Sequence, residues 1–188
     1  MATTHPDRLH YTGNDEADEL LAREPFALLI GFALDQQVPV QTAFSGPLKL
    51  KQRLGTLDPG KIAATDPARL EEVFREKPAI HRFPGNMAKR VQDLAVVVVD
   101  DYGGDAERIW SDAADGAELR RRIAALPGFG DMKIKAFGAV LAKRFGVEAA
   151  RELDPGHPTL GDVDSPEALE EYQAKKRAYK ASMRAARS

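Results

Sequence analysis

The chain has 188 residues, of which 43% are hydrophobic and 30% charged, and its formal net charge is −2. This length is enough for one substantial core or two small lobes, and the composition is that of a globular protein rather than a disordered one. The chain has no cysteine, which excludes disulfides, thiolate catalysis and zinc-cysteine sites. A charge near zero also argues against a protein that coats nucleic acid indiscriminately, because such proteins are usually strongly basic.

No apolar run approaches the ~20 residues that are needed to span a bilayer. Residues 1–20 also lack the apolar core of a signal peptide. We therefore expect a cytoplasmic protein that has no membrane partner and acts as a monomer.

The first strongly apolar stretch is Pro25–Leu34, PFALLIGFAL. A proline at its start and an apolar surface on nearly all sides predict a buried helix. The run D-Q-Q-V-P follows it, so Gln36 and Gln37 lie where a core helix meets a surface or a cleft. For either glutamine alone, capping the C-terminus of the helix is an equally good explanation.

Several helical patterns follow, and no alternating strand pattern of any length appears, so the sequence predicts an all-α protein. The pattern at 40–54 has its apolar residues on one side, and Gly46-Pro47 is expected to kink or split this helix. The β-branched run at 96–99 has strand propensity. Its place inside a longer helical frame from 87 to 102 nevertheless favours a buried helix.

A polar segment precedes that helix and carries four side chains that are able to meet a ligand: His81, Arg82, Asn86 and Lys89. Solvated residues at the start of a helix are the commoner explanation for any one of them. Further along, Trp110 is the only tryptophan of the chain, and we expect it to pack in the core.

The segment 123–145, IAALPGFGDMKIKAFGAVLAKRF, has two apolar helical runs around the turn L-P-G-F-G. Gly128 and Gly130 can adopt positive φ values, so the chain is expected to reverse sharply with its backbone N–H groups exposed. Exposed amides at a helix N-terminus bind phosphate oxygens, and Lys133 and Lys135 follow within about one turn. The alternative is an ordinary αα-hairpin whose glycines serve only the turn.

This turn with its lysine-bearing helix resembles the helix-hairpin-helix element of the DNA glycosylase superfamily with the endonuclease III-like fold, the HhH-GPD superfamily. The resemblance extends from Pro25 to Asp154 and rests on three pieces in order. These are the P-F-x-L-L-I helix with its following glutamine, the hairpin, and an aspartate after the second hairpin helix. The resemblance implies a two-lobed helical fold, and duplex DNA with a damaged base as partner. It also implies base excision repair by removal of that base.

The resemblance also implies which residues contact DNA. In this family the hairpin grips the DNA backbone without reading bases, and the glutamine at the position of Gln37 fills the gap left by a flipped base. The predicted DNA contacts are Gln36, Gln37, Lys89, Gly128, Phe129, Gly130, Lys133 and Lys135.

The family's catalytic aspartate lies beyond the second hairpin helix, and Asp154 is the matching residue. Breaking an N-glycosidic bond develops positive charge on the sugar, which a fixed carboxylate stabilises. The prolines at 155 and 158 prevent the helix that usually starts there, so a turn aspartate is an equally open interpretation of Asp154. Asp162 and Asp164 are the fallback carboxylates.

Bifunctional members of the family carry a lysine nucleophile two residues past the second glycine, and Met132 occupies that position. Lys133 is one residue later, a step that rotates a helical side chain by about 100°. We therefore predict a monofunctional enzyme, or none, with Lys133 and Lys135 as phosphate contacts. Because the chain has no cysteine, we also expect no iron–sulfur cluster and no other cofactor.

The chain is predicted to have four segments. Residues 1–24 form an arm and a short helix that contribute to the second lobe, and residues 25–112 form a helical lobe with the Gln37 region. Residues 113–154 form the hairpin and the aspartate loop, and residues 155–188 form a loop and a C-terminal helix. The apolar residues of that last helix suggest a stripe that docks on the body: Ala168, Leu169, Tyr172, Tyr179 and Met183.

Three functions are compatible with these patterns. The first is a monofunctional DNA glycosylase of base excision repair, a hydrolase. The second is a non-catalytic DNA-binding relative of the same fold. The third is a helical protein-interaction module.

Overall fold

The computed structural model describes residues 3–188, and within them it contains ten α-helices, two 3-10 helices and no strand. The all-α prediction is confirmed. None of the helices in this range is long and apolar enough to cross a bilayer. The α-helices are α1 (Asp15–Arg23), α2 (Pro25–Leu34), α3 (Val40–Leu54), α4 (Pro59–Ala64), α5 (Pro67–Arg75), α6 (Pro84–Tyr102), α7 (Arg108–Ser111), α8 (Gly116–Ala124), α9 (Asp131–Phe145) and α10 (Pro166–Arg187). The 3-10 helices span Glu148–Leu153 and Leu160–Asp162.

Helix α2 lies at the centre of the molecule, as its composition predicts. Every residue from Phe26 to Leu34 is buried. The ring of Phe32 lies 5.1 Å from that of Phe44 in α3 and 4.9 Å from that of Phe137 in α9. Helix α2 therefore joins the earlier helices to the hairpin through one continuous hydrophobic core.

The remaining helices form two sets around α2. Helices α4 and α5 pack on α6, whereas α9 packs on both 3-10 helices and on α8. The N-terminal arm joins the second set, because the Thr4 N–H donates to the Phe145 carbonyl (2.9 Å) and the Tyr11 hydroxyl donates to the Leu160 carbonyl (2.8 Å). The domain boundaries at 112 and 154 stay predictions.

Two details of the helices differ from expectation. Helix α3 continues through Pro47, so it is not split there, and the alternative of a kink stays a prediction. A Cβ on Gly46 would lie only 2.4 Å from Leu34 Cδ1, so this glycine allows the end of α2 to pack closely. In α10, Leu169 is buried, but Tyr179 and Met183 are 65% and 42% exposed. The predicted docking stripe therefore ends before the second half of α10.

The valine run at 96–99 lies within α6, so the predicted helix is confirmed, but only Val98 is buried and Val96 is 40% exposed. The predicted burial of the tryptophan is confirmed. Trp110 is 2% exposed and packs edge-on against Phe137 at 5.6 Å between ring centroids.

Candidate functional site

The hairpin turn between α8 and α9 has one left-handed glycine. Gly128 has φ +80°, as the turn requires, and a Cβ there would lie 2.7 Å from Arg90 Cδ. Gly130 has φ −84°, so the expectation of a positive φ at this residue is wrong. No described atom lies within 4 Å of where a Cβ on Gly130 would stand. The chain therefore presents open surface at the start of α9.

The N-terminus of α9 has unsatisfied backbone donors. Its first internal hydrogen bond runs from the Ile134 N–H to the Gly130 carbonyl (3.0 Å), and no side chain among the described residues caps this end. The N–H groups of the first turn therefore have no acceptor within the helix. Such groups, together with the helix dipole, bind phosphate oxygens.

Phe129 anchors the turn to the core. Its side chain is only 5% exposed and its ring lies 6.0 Å from that of Phe137. Its N–H donates to the Leu126 carbonyl (3.3 Å). Both groups have partners within the protein, and the DNA contact predicted at Phe129 stays a prediction.

The two lysines after the turn differ in their partners. Lys135 pairs with Asp131 at 3.1 Å, and Arg120 contacts the same carboxylate. The hydrogen bond from Lys135 and then that from Arg120 hold the pKa of Asp131 below its usual value. Lys133 makes no ion pair among the residues that the structure describes.

Lys133 is turned towards the body of the protein. Its Nζ lies 5.6 Å from the centroid of the Phe129 ring, whereas the neighbouring Met132 is 86% exposed. Burial lowers the pKa of Lys133 to about 8, although the nearby charge of Asp35 raises it and Arg90 lowers it further. An ammonium group in this environment releases its proton more readily than an exposed lysine does.

The end of α2 presents both predicted glutamines at the surface. Gln37 is exposed and has φ +58°, the only non-glycine positive φ within residues 3–188. Left-handed backbone is strained for a residue with a Cβ, and such strain clusters at functional sites. The Gln36 Oε1 accepts a 2.6 Å hydrogen bond from Arg90 Nη1. Because Arg90 also packs against Gly128, it joins α6, the end of α2 and the hairpin.

Arg90 is a site residue that sequence reasoning missed. It follows Lys89 in the chain, and no local pattern distinguishes the two. In the structure Lys89 is 77% exposed and pairs with Asp93 at 2.6 Å along the surface of α6. The predicted DNA contact at Lys89 stays a prediction, but the cation that touches the hairpin is Arg90.

His81 holds this end of α2 through hydrogen bonds to its carbonyl groups. It is 1% exposed, so the prediction that it faces a ligand is wrong. Its Nε2 lies 3.0 Å from the Leu34 carbonyl and 3.1 Å from the Gln36 carbonyl, and its Nδ1 accepts from the Phe83 N–H (3.0 Å). This network assigns the neutral tautomer with the proton on Nε2. Burial lowers the pKa of His81 and so favours that neutral form.

Asp35 lies between the two carbonyls that His81 holds. It is partly buried, and within residues 3–188 its carboxylate makes no hydrogen bond and no ion pair. Burial raises the pKa of Asp35, and the nearby positive charges of Lys176 and Lys133 offset part of this rise. Burial also raises the pKa of Tyr172 in α10, helped by the charge of Asp35. We call this group of residues the Asp35 cluster: Asp35, Gln37, Arg90, Lys133, Tyr172 and Lys176.

Helix α10 borders the Asp35 cluster. Gln173 and Gln41 of α3 exchange two hydrogen bonds of 2.8 and 3.0 Å. This pair fixes the first half of α10 against the body, which places Tyr172 and Lys176 near Asp35. Of the three predicted pieces of the site, two lie together: the end of α2 and the hairpin.

Asp154 lies at a different place. Its carboxylate accepts from the Gly156 N–H (3.0 Å) and pairs with Lys143 Nζ at 3.3 Å. Lys143 is ten residues beyond Lys133 in α9, or about 15 Å along the helix axis. The structure thus gives Asp154 the partners of a turn aspartate beside the end of α9, whereas Asp35 lies near Lys133 of its first turn without pairing with it.

The two fallback carboxylates, Asp162 and Asp164, also lie outside the Asp35 cluster. Asp162 shares Lys143, at 2.5 Å. Asp164 is exposed beside Ser165, whose side chain caps α10. Neither residue provides the carboxylate that was predicted close to the hairpin.

The residues present do not fit a metal cluster of the kind that many endonuclease III-like proteins carry. The chain has no cysteine, so the ligands of a four-cysteine cluster are missing. In the described range, no group of three or more histidine, aspartate or glutamate side chains is placed to hold a metal ion.

Comparison with known proteins agrees with the hairpin geometry. A family model described as HhH-GPD superfamily base excision DNA repair protein matches residues 30–185, from within α2 almost to the end of α10. No curated protein and no solved structure matches the chain. The extent of the family match shows that the chain belongs to the HhH-GPD superfamily of base excision DNA repair proteins.

Proposed function

We propose that this protein is a monomeric DNA N-glycosylase that removes a damaged base from duplex DNA by hydrolysis. The observation that carries the proposal is that three features lie close together, because Arg90 joins the end of α2 to the hairpin. These are the open N-terminus of α9, the strained Gln37 and the unpaired Asp35. Membership of a base excision repair superfamily supports the same activity.

Each feature supplies one requirement of the reaction. The free N–H groups after Gly128 bind a backbone phosphate, because they combine hydrogen-bond donors with the positive end of the helix dipole. A base in a duplex must leave the stack before an enzyme reaches its glycosidic bond. The exposed Gln37 side chain fills the space that the extruded base leaves in the duplex. A carboxylate then stabilises the positive charge that develops on the sugar.

The residue at the position of the lyase nucleophile supports a monofunctional reaction. Met132 stands there, is 86% exposed and has no amine to attack the sugar. We therefore expect water, rather than the protein, to take the place of the base. The product is an abasic site in an intact strand.

The test is a panel of duplexes that carry uracil, alkylated, oxidised and deaminated bases, incubated with excess protein. Strand cleavage after alkali treatment, but not before it, is the expected result for at least one lesion. Borohydride should trap no covalent complex, and a trapped complex would contradict the monofunctional proposal. If every lesion survives while binding to duplex DNA remains salt-dependent, the protein is a non-catalytic DNA-binding relative instead.

A further inference from the structure

The chain offers an internal standard for a structural carboxylate. Asp18 is 4% exposed and accepts three hydrogen bonds, from the N–H groups of Tyr11 and Thr12 (both 3.1 Å) and from the Thr12 hydroxyl (2.9 Å). Buried polar groups normally have such partners. Asp35, which lies in a partly buried position, has no such partner within the described chain, and its carboxylate oxygens are not among the fully buried unpaired atoms, so they are open to solvent.

The main chain fixes Asp35, and its side chain is left free to act. His81 holds the carbonyls of Leu34 and Gln36, on either side of Asp35. The residue therefore keeps its place without a hydrogen bond from its own carboxylate. Functional groups are held in this way when supporting residues carry the structural load.

The surroundings of Asp35 come from three helices. Helix α9 contributes Lys133, and α10 contributes Lys176 and Tyr172. Arg90 of α6 reaches the same region, because its charge acts on Lys133. Both ammonium groups are close enough to act on the carboxylate through their charge, yet neither comes within the 4.0 Å of an ion pair. Neither lysine therefore occupies the Asp35 carboxylate, whose oxygens stay open to solvent.

We propose that Asp35 is a catalytic carboxylate of the glycosylase reaction and that Lys133 is its proton-exchanging partner. The proposal rests on the glycosylase function proposed above. It assigns the chemistry to the end of α2, a residue that precedes the predicted DNA-inserting Gln37 by two positions.

The proton balance of the reaction follows from this pair. As the bond between the sugar C1′ and the base nitrogen breaks, its electron pair leaves with the base. The oxygen of a water molecule bonds to C1′, and the proton of that water passes to the Asp35 carboxylate. The departing base takes a proton from the Lys133 ammonium. Transfer of a proton from the Asp35 carboxyl to the Lys133 amine then restores both groups.

The environments of the two groups suit these roles. Burial raises the pKa of Asp35, so its carboxylate accepts a proton more readily than an exposed aspartate does. Burial lowers the pKa of Lys133 to about 8, so its ammonium donates more readily than an exposed lysine does. Environments that push two titratable groups in opposite directions are typical of acid and base pairs in enzymes.

The first experiment compares Asp35→Asn with Asp154→Asn in the full chain, with Asp101→Asn on the exposed face of α6 as the matched control. The measurements are single-turnover base release and equilibrium binding to the same duplex. We expect Asp35→Asn to lose about 100-fold or more in base release, with binding within about 3-fold of the wild type. Asp154→Asn and Asp101→Asn should stay within about 5-fold in base release.

The opposite pattern, in which Asp154→Asn loses release and Asp35→Asn retains it, overturns the assignment and leaves the glycosylase function intact. Absence of base release by the wild type overturns the glycosylase function and the catalytic role together. A fold defect is distinguished by the binding measurement, because a misfolded variant also loses its duplex affinity.

The second experiment reads the pair without relying on turnover. The pKa of Lys133 is measured by NMR titration of its ε-methylene group in the wild type and in Asp35→Asn. Because the Asp35 charge raises the pKa of Lys133, the variant should show a lower pKa than the wild type. An unchanged pKa overturns the pairing, whatever the lesion panel shows.

The pH profile of base release provides a third measurement. The groups that face Asp35 are Lys133, Lys176 and Tyr172, and Arg90 acts through Lys133. Release should rise with pH through the raised pKa of Asp35 and fall near pH 8 as Lys133 loses its proton. Lys133→Gln should lower the rate and remove the falling limb. A wild-type falling limb that persists in this variant contradicts the role of Lys133.

Discussion

The two ends of α9 hold acidic groups in opposite states. Near the first turn, Asp35 faces Lys133 without contact, and both groups are partly buried. Near the last turn, Asp154 and Asp162 both contact Lys143, at 3.3 and 2.5 Å. The same residue types thus lie apart without an ion pair at one end and form a paired cluster at the other.

The difference shows that the partners of a carboxylate determine its use. Burial acts against the charge of Asp162, but the hydrogen bonds from Lys143 and the Thr159 N–H outweigh it and hold the pKa below the usual value. Such a carboxylate stays ionised, and its oxygens are taken up by hydrogen bonds within the protein. At Asp35 no hydrogen bond offsets burial, which raises the pKa.

The largest expected effect on stability comes from His81. His81→Ala leaves the buried Leu34 carbonyl and the partly buried Gln36 carbonyl without their donor. We therefore expect a loss of about 2–3 kcal/mol in the free energy of unfolding, measured with urea at pH 7. His157, exposed in the loop after Asp154, is the matched control, and His157→Ala should change little. A loss below about 0.5 kcal/mol for His81→Ala would show that the histidine clamp is not needed.

The His81 effect should depend on pH. Burial lowers the pKa of His81 below its ordinary value of 6.5, so the folded state binds fewer protons than the unfolded chain. The contribution of His81 is therefore complete above that ordinary value and is lost as the pH falls through the folded pKa. The difference between wild type and His81→Ala should shrink between pH 7 and pH 5.

Glycines at the two ends provide the next comparison. Gly128 and Gly156 both have positive φ, +80° and +74°, and alanine at such a position costs about 1–2 kcal/mol. At Gly128 the new Cβ also displaces Arg90, so its loss should be the larger, about 2 kcal/mol in urea unfolding. Gly130→Ala, without strain or clash, should leave stability unchanged. Duplex affinity should fall for Gly128→Ala and Gly130→Ala only, and equal affinities for all three variants would contradict the hairpin as the phosphate site.

Changes in carboxylate charge should alter stability in opposite directions at the two ends. Asp35→Asn should raise the free energy of unfolding at pH 7 by about 0.5–1 kcal/mol, whereas Asp154→Asn should lower it by about as much or less. Because the pKa of Asp35 is raised in the folded state, folding becomes less favourable as the pH rises above its ordinary 3.8. The gain of Asp35→Asn should therefore disappear in thermal melts near pH 4. A loss of stability at pH 7 would identify Asp35 as a structural aspartate.

The smallest effect is expected at Lys143. Lys143→Met leaves Asp154 and Asp162 without their cation, but these groups are partly solvated, so the loss should stay below about 1 kcal/mol. Because the pKa of Asp162 is lowered, this contribution is present above the ordinary value and is lost as the pH falls through the folded pKa. Base release and duplex binding should match the wild type. A large loss of base release would return the chemistry to the Asp154 end of α9.

Much of the fold follows from local sequence signals. Proline at 25 and polar residues after 34 define α2, and the hairpin is marked by Gly128, because these signals depend only on neighbouring residues. The continuous α3 was not predicted, since Gly46 is explained by the contact that it allows with Leu34 rather than by its own neighbours. Contacts between distant segments therefore limit such predictions.

The site was predictable to a smaller extent. Spacing along the chain selects Asp154, but it does not show that Lys143 occupies that carboxylate. Arg90 and Asp35 carry no distinctive motif, and their surroundings are formed by helices far apart in sequence. The burial of Phe129 likewise depends on Phe137 one helix later. Only the folded arrangement shows which polar groups are left without a partner.

Gln37 has a left-handed backbone. A conformation of this kind disfavours a side-chain-bearing residue by about 1 kcal/mol or more, so the fold bears this penalty at Gln37. Glycine at this position would relax the loop and at the same time remove the side chain that we propose enters the DNA. Thermal resistance and affinity for DNA should therefore change in opposite directions at a single residue.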